Sequence, residues 1–263
     1  MHAFNGMGKL DGRVSMVTGA GSGIGRAIAL LFASEGSKVV VTDVNDKGGE
    51  ETANMIRGNG GDALFVHADV SRASDCENAI REAVKRYGQL DILVNNAGID
   101  LPRAKPSADF SEDEFDKVIS VNLKGAWLMS KYAIPEMLRR SKGIIVNIAS
   151  VAGIRPLPLA MPYSVSKAGL IMLTKSMAVE YGNRGIRVNA IAPGWVSTPM
   201  AVRAASAYGT TYEEFTKQFL QRIPLGRFAD PTEIAKVVLF LASDDSSYMN
   251  GAVVVVDGAI SIA

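Results

Sequence analysis

The chain reads as an α/β protein built on one doubly wound parallel sheet of about seven strands, with helices on both faces. Three observations predict this. Short β-branched runs alternate with longer helical patterns from Arg13 onward. Several runs are apolar at consecutive positions, as in Val39-Val40-Val41 and Ile144-Ile145-Val146. A glycine-rich turn joins the first run to the first helix. Regular alternation calls for right-handed crossovers between parallel strands, and unbroken apolar runs suit strands covered on both faces. No Pro/Gly/Ser-rich linker or internal repeat interrupts the 263 residues, so a single domain over 1–263 is expected, with 1–8 as a flexible tail.

Strands are expected at 13–18, 38–42, 63–67, 91–94, 143–149, 186–192 and 253–256, and helices at 22–35, 46–58, 72–86, 111–138, 162–182 and 231–242. The first strand ends in Thr18-Gly19-Ala20-Gly21-Ser22-Gly23-Ile24-Gly25 and an apolar helix follows. Small residues let the backbone turn tightly and approach a ligand, and the helix N-terminus offers unpaired N–H groups to a pyrophosphate. The glycines run G-x-x-x-G-x-G through Gly19, Gly23 and Gly25, a departure from the G-x-G-x-x-G dinucleotide fingerprint. The second strand ends at Asp43, where a dinucleotide fold places the acid for the adenosine ribose hydroxyls. An aspartate there repels a 2′-phosphate, and neither Ser22, Thr42 nor Val44 supplies a positive charge, so the reading is NAD rather than NADP. Asn45 and Asp46 are nearer candidates for capping the next helix. Asp69, in Ala68-Asp69-Val70, is read equally as an acceptor for the adenine amino group or, like Ser71, as a helix cap. The fourth strand runs into Asn95-Asn96-Ala97-Gly98 at the strand edge where open α/β sheets bind ligands. These asparagines are expected both to meet cofactor and to tie loops to the sheet.

Composition prunes the alternatives. Lys plus Arg is 28 against 27 Asp plus Glu, which gives no reason to expect nucleic acid or an acidic membrane as partner. The lone Cys76 permits no intramolecular disulfide and favours a reducing compartment. With no signal-peptide pattern and apolar runs too short to span a bilayer, a soluble cytoplasmic protein is expected. One cysteine and two histidines, His2 and His67, make neither a zinc site nor a Cys/His nucleophile pair; no metal is expected, and His67 reads as an ordinary strand-end residue.

Tyr163 and Lys167 stand four residues apart and share one face of a helix. An ammonium beside a phenol favours the phenolate and lowers its pKa from the usual value of about 10. With these pieces together, the chain resembles the short-chain dehydrogenase/reductase family from about Lys9 to Gly258. The residues that carry the resemblance are the 18–25 turn, Asn95-Asn96-Ala97-Gly98, Asn122, Ser150, Tyr163-Ser164-Val165-Ser166-Lys167 and Pro193-Gly194. It implies a single-domain Rossmann-like fold and a four-residue active site. Tyr163 would be the general acid or base, Lys167 would hold the nicotinamide ribose and help lower the Tyr163 pKa, and Ser150 would bind the substrate oxygen. Asn122 would hold a water linking Lys167 to solvent. The NAD-binding set is then Gly19, Ser22, Gly23, Ile24, Gly25, Asp43, Asp69, Val70, Asn96, Ala97 and Gly98. Tyr163 and Lys167 join it, with Pro193, Gly194, Val196 and Thr198 of the loop after the sixth strand. Thr198 followed by Pro199 also reads as a helix start.

Residues 151–162 and a helical flap at 199–216 are expected to frame the substrate. Leu157, Leu159, Met161 and Trp195 are read equally as an apolar pocket wall or as packing against a neighbouring subunit. Arg155 is read as a solvated surface arginine in preference to a ligand for a substrate carboxylate or phosphate. The apolar 162–181 helix, Trp127 to Met137 and Ala252 to Ala263 suggest interfaces, and the family resemblance implies a homotetramer. The leading function is an NAD-dependent oxidoreductase interconverting a small-molecule secondary alcohol and a ketone. The alternatives are a 3-oxoacyl thioester reductase and a catalytically silent dinucleotide-binding regulatory protein.

Overall fold

The apolar runs become seven parallel strands in the order β3-β2-β1-β4-β5-β6-β7. They are β1 (Val14–Thr18), β2 (Lys38–Asp43), β3 (Ala63–His67), β4 (Ile92–Asn95), β5 (Gly143–Ile148), β6 (Ile186–Pro193) and β7 (Val253–Val256). The computed structural model describes residues 8–100 and 103–263; residues 1–7 of the expected tail, His2 among them, lie outside the described residues. Every residue of β1, β4 and β5 is buried, which is why these runs do not alternate with polar residues.

Two cores sandwich the sheet. On one face Ile28, Phe32, Val39, Val41, Val94, Val146 and Val238 pack beneath α1 (Gly23–Ser34), α2 (Asp46–Gly58) and, in chain order, the last helix α9 (Pro231–Ala242). On the other, Met16, Val40, Leu93, Ile145 and Met177 pack beneath α3 (Ala73–Tyr87), α5 (Gly125–Leu138) and α6 (Met161–Tyr181). The strand order reverses between β1 and β4. The crevice at the carboxyl ends of these strands is where such sheets bind ligands.

Two expected elements differ in detail. The expected 111–138 helix is α4 (Glu112–Ile119) and α5 joined by a π-turn over Ser120–Lys124, with Asn122 at its middle. An extra residue per turn bulges the backbone, and such bulges occur frequently at functional sites. The flap at 199–216 is two helices, α7 (Pro199–Ala207) and α8 (Tyr212–Leu220), so it extends beyond the expected boundary. Gly209, at φ 72°, breaks the helix, and a Thr211/Glu214 capping box starts the next one. Trp195 roots this pair: its ring lies 4.8 Å edge-on from Phe215 and 4.7 Å from Phe219.

Candidate active site

The 18–25 turn is shaped by close approach. A Cβ on Gly25 would stand 2.2 Å from the Gly19 carbonyl oxygen, so only glycine fits there, and Gly19 itself has φ 63°. The turn is clamped to β4 by Thr18, whose Oγ1 accepts from the backbone N–H of Asn96 (3.0 Å) and Ala97 (2.9 Å). The Asn96 side-chain amide donates to the Thr18 and Gly19 carbonyls at 2.8 and 3.1 Å. Its loop-tying role is therefore directly visible. Ser22, the N-cap of α1, makes no side-chain capping bond, whereas α4, α8 and α9 carry complete capping boxes. The first turn of α1 thus presents N–H groups that no capping side chain satisfies, next to Gly19, Gly21 and Gly23, which carry no Cβ. This fits a pyrophosphate.

At the end of β2, Asp43 accepts from the backbone N–H of Gly21 (2.8 Å) and of Asn45 (2.9 Å). Its carboxylate is fixed beside the turn, as ribose recognition requires. The expected cap falls to Asn45, whose side chain accepts from Gly48 N–H at 3.0 Å. Sequence reading missed Arg26, whose guanidinium donates to the Gly21 and Gly48 carbonyls and pairs with Glu51 at 3.2 Å. Asp69 accepts from both Ser71 N–H (2.9 Å) and Ser71 Oγ (2.7 Å). Despite the opposing cost of desolvation, these bonds and Arg72 hold its carboxyl below the usual range. It does not cap α3, whose N-cap is Arg72. Val70 is buried beside it, against Gly125. His67 closes β3 with Nδ1 2.6 Å from Asp46.

The catalytic candidates come together around one cavity of about 690 Å³. Ser150 follows β5; its Oγ accepts from Ala152 N–H at 3.1 Å, and the serine lines the same cavity as Tyr163. Lys167 is 4% exposed and donates through Nζ to the Ile148 carbonyl at 2.8 Å. The ammonium lies 5.7 Å from the Tyr163 ring centre. Ile24, Asn96, Gly98, Pro193, Gly194, Val196 and Thr198 line the same cavity, bringing cofactor candidates and catalytic candidates to one wall. A Cβ on Gly98 would lie 3.6 Å from Lys167 Nζ, so glycine keeps the space beside the ammonium open. Thr198 also caps α7, accepting from Ala201 N–H at 3.4 Å.

Asn122 stands behind this wall. Its Oδ1 accepts from Ile99 N–H at 2.8 Å, and Nδ2 donates to the Ile99 carbonyl (3.1 Å) and to Ser166 Oγ (3.2 Å). Beneath, a buried chain of polar groups pins α6 to the sheet: Asn95 Nδ2 donates to Asn147 Oδ1 at 2.8 Å, and Asn147 Nδ2 donates to Thr174 Oγ1 at 2.8 Å.

The electrostatics correct one expectation. Burial, followed by the nearby Asp100 carboxylate, pushes the Tyr163 phenol up rather than down, against the lowering effect of the Ser150 hydroxyl. Burial alone lowers Lys167 to about 8. Desolvation disfavours both charged forms here, and the ammonium at this distance does not overcome it for the phenol. Asp100, which lines the cavity, is a residue the sequence reading missed; its place just after the Asn95–Gly98 strand edge was the available signal.

The four apolar side chains read as pocket wall or subunit packing divide. Leu157 and Trp195 line the cavity, but Leu159 and Met161 are not among its lining residues. Leu159 is exposed, its backbone at φ 60° turning the side chain away. The flap lies closed: Tyr208 OH donates to the Pro158 carbonyl at 2.9 Å, and Ala104 N–H to the Ala207 carbonyl at 3.0 Å.

A nucleotide-ready helix start and a phenol–serine pair facing one cavity, all on a doubly wound sheet, define an oxidoreductase of Rossmann-like fold. The chain belongs to the short-chain dehydrogenase/reductase family. The family model described as Enoyl-(Acyl carrier protein) reductase matches residues 19–261. An uncharacterized oxidoreductase of Thermotoga maritima is 43% identical over 248 residues, 94% of this chain and 97% of that protein. A 3-oxoacyl-[acyl-carrier-protein] reductase of the same organism is 41% identical over 254 residues, 97% of this chain and 100% of that one. Among solved structures, levodione reductase superposes with a TM-score of 0.93 at 39% identity, over 97% of this chain and 99% of that one. No helix of the described residues is long and apolar enough to cross a membrane.

Proposed function

We propose that the chain is an NAD-dependent oxidoreductase that interconverts a secondary alcohol and a ketone, with Tyr163 as general acid and base. One observation carries the reading: Ser150, Tyr163 and Lys167 share a cavity with Ile24 of α1, with Asn96 and Gly98, and with Pro193, Gly194, Val196 and Thr198. When bound, NAD(H) supplies or accepts the hydride. Gly19, Ser22, Gly23, Ile24 and Gly25 would hold its pyrophosphate and Asp43 its adenosine ribose. Asp69 and Val70 would meet the adenine, while Asn96, Ala97 and Gly98 border the nucleotide. Pro193, Gly194, Val196 and Thr198 would meet the nicotinamide end.

Tyr163 gives its proton to the ketone oxygen in reduction and takes it back in oxidation. Ser150 holds that oxygen, and Lys167 holds the nicotinamide ribose hydroxyls. Lys167, at about 8, is matched to passing a proton near neutral pH. The Asn122 side chain is engaged by Ile99 and Ser166, so its part is to fix the loop beside Lys167. A water relay there would hang on main-chain atoms. NAD is preferred because an Asp43 carboxylate opposes a 2′-phosphate, and the Arg26 guanidinium is already matched by Glu51. We place the enzyme in the cytoplasm on its single, buried Cys76, and as a homotetramer by its family.

A second reading, a 3-oxoacyl thioester reductase, is favoured by the Thermotoga maritima relative bearing that name. A third, a silent dinucleotide-binding regulatory protein, is opposed by the complete Ser150, Tyr163 and Lys167 set. The test is a screen of alcohols, sugars, steroids, ketones and 3-oxoacyl thioesters with both cofactors, followed by nicotinamide absorbance. Tyr163→Phe is expected to bind NADH nearly as wild type and to lose about 10²–10⁴-fold in turnover, the scale of one acid–base group. Undiminished activity in that variant would overturn the mechanism.

A further inference from the structure

The cavity carries opposite charges at different depths. Its buried floor holds Ser150 and Lys167, and Asp100 lines it with Tyr163 and Tyr208. Asp100 raises the pKa of both phenols, so its negative charge is felt at the reacting end. Arg155, from the loop after β5, and Arg222, just after α8, line the same cavity but are solvent-exposed, which puts them at its rim. Leu157, Trp195, Ala204 and Phe219 add apolar surface to the same cavity.

Several surface guanidiniums are matched by carboxylates, although Arg81, Arg184 and Arg203 are, like these two, in no salt bridge among the described residues; what sets Arg155 and Arg222 apart is that they line the cavity. Arg57 pairs with Glu50, Arg86 with Asp62, Arg139 with Glu136 and Arg227 with Glu233. Among the described residues, neither Arg155 nor Arg222 has a carboxylate side chain within salt-bridge distance. Arg155 donates to the backbone oxygen of Ala263 at 3.4 Å, and both residues line the cavity. A guanidinium is a forked donor matched to carboxylate and phosphate.

We propose that the substrate is an anion: a hydroxy or oxo compound with an apolar body, whose carboxylate or phosphate is held at the rim by Arg155 and Arg222. This rests on the function proposed above. Asp100 offsets the attraction of the buried Lys167 ammonium for an anion at the inner end, and the two rim guanidiniums then favour the orientation that delivers the uncharged oxygen to Ser150 and Tyr163.

The test uses the full chain with NADH and three probes: 6-oxoheptanoate, its methyl ester and 5-oxohexyl phosphate. Wild type is expected to favour an anion over the ester by about tenfold or more in kcat/KM, the scale of a charge-assisted hydrogen bond. The preferred anion names the source as carboxylate or phosphate. In the Arg155→Ala/Arg222→Ala double variant the anion-to-ester ratio falls close to one, mainly through KM. Raising NaCl weakens the anion's KM and not the ester's. A wild-type ratio near one, or a ratio that survives in the double variant, overturns the proposal. Calorimetric titration of the same three probes into the NAD⁺-saturated protein keeps the two readings apart. Absence of turnover with every probe and both cofactors counts against the proposed reaction, while tenfold tighter anion binding still supports the rim site and equal binding refutes it.

Discussion

At the scale of single residues, Tyr163 sits in a contest between desolvation and charge, and the outcome sets how activity depends on pH. Burial and Asp100 both favour the neutral phenol. In the proposed mechanism the protonated form is the acid for ketone reduction, and the phenolate is the base for alcohol oxidation. Oxidation is therefore expected to rise with pH and reduction to fall. Asp100→Asn removes a negative charge that raises the Tyr163 pKa, so the rising limb of the oxidation profile should move to lower pH. Steady-state pH profiles of kcat/KM check this, and a shift to higher pH would contradict it. Asp43 carries a second prediction. Its carboxylate already accepts from Gly21 and Asn45, so Asp43→Ala loosens the turn as well as removing the charge. Asp43→Asn removes the charge but keeps one of the two acceptors, so it disturbs the turn less than alanine does. Both variants are expected to lower the NADH-over-NADPH preference by roughly tenfold, the scale of one charged partner. Wild type using NADPH at least as well as NADH would refute the reading of Asp43.

At the scale of elements, the closed flap hangs on few bonds. Tyr208 at the end of α7 donates to Pro158 in the loop that leads to α6. Removing that hydroxyl in Tyr208→Phe should cost the closed form about 0.5–1.5 kcal/mol, the net worth of one hydrogen bond. The expected result is a several-fold rise in KM, with faster limited proteolysis between α7 and α8; unchanged KM and proteolysis would mean the latch is idle. The flap also marks where sequence legibility ended. β1, β4 and β5 were readable because burial on both faces forces unbroken apolar runs. The α1 turn was readable because close approach leaves only small residues. The π-turn at Asn122 was not, since one extra residue in a long helix hardly alters its apolar pattern. For Leu159 and Met161 sequence alone does not choose between pocket wall and subunit packing, because apolarity says that a side chain prefers burial, while backbone direction decides where it points. Asp100 and Tyr208 meet only after distant loops fold over one cavity, which no local pattern encodes.

At the scale of the whole molecule, the sheet satisfies its own two faces, so apolar surface left outside them calls for another explanation. On α6, Val165, Met172 and Val179 are 45%, 61% and 85% exposed. They recur every seven residues and so form one stripe along the helix. Trp127 on neighbouring α5 is 44% exposed, and Val255 and Ile262 near the chain end are exposed too. A stripe flanked by a second apolar helix fits the proposed homotetramer, with α5 and α6 as one interface and the end of the chain as another. Burying such a surface against a second copy must cover about 1,200–2,000 Å² for a stable contact. It would also stiffen the helix that carries Tyr163 and Lys167. The Met172→Glu/Val179→Glu variant places two like charges on the stripe without touching the cavity or either core. Light scattering coupled to size exclusion is expected to find wild type above monomer mass at micromolar concentration and the variant smaller. Far-UV circular dichroism should stay unchanged, because both positions already face outward. A wild type that runs as a monomer at every concentration would leave the stripe without this explanation and remove the tetramer from the proposed function.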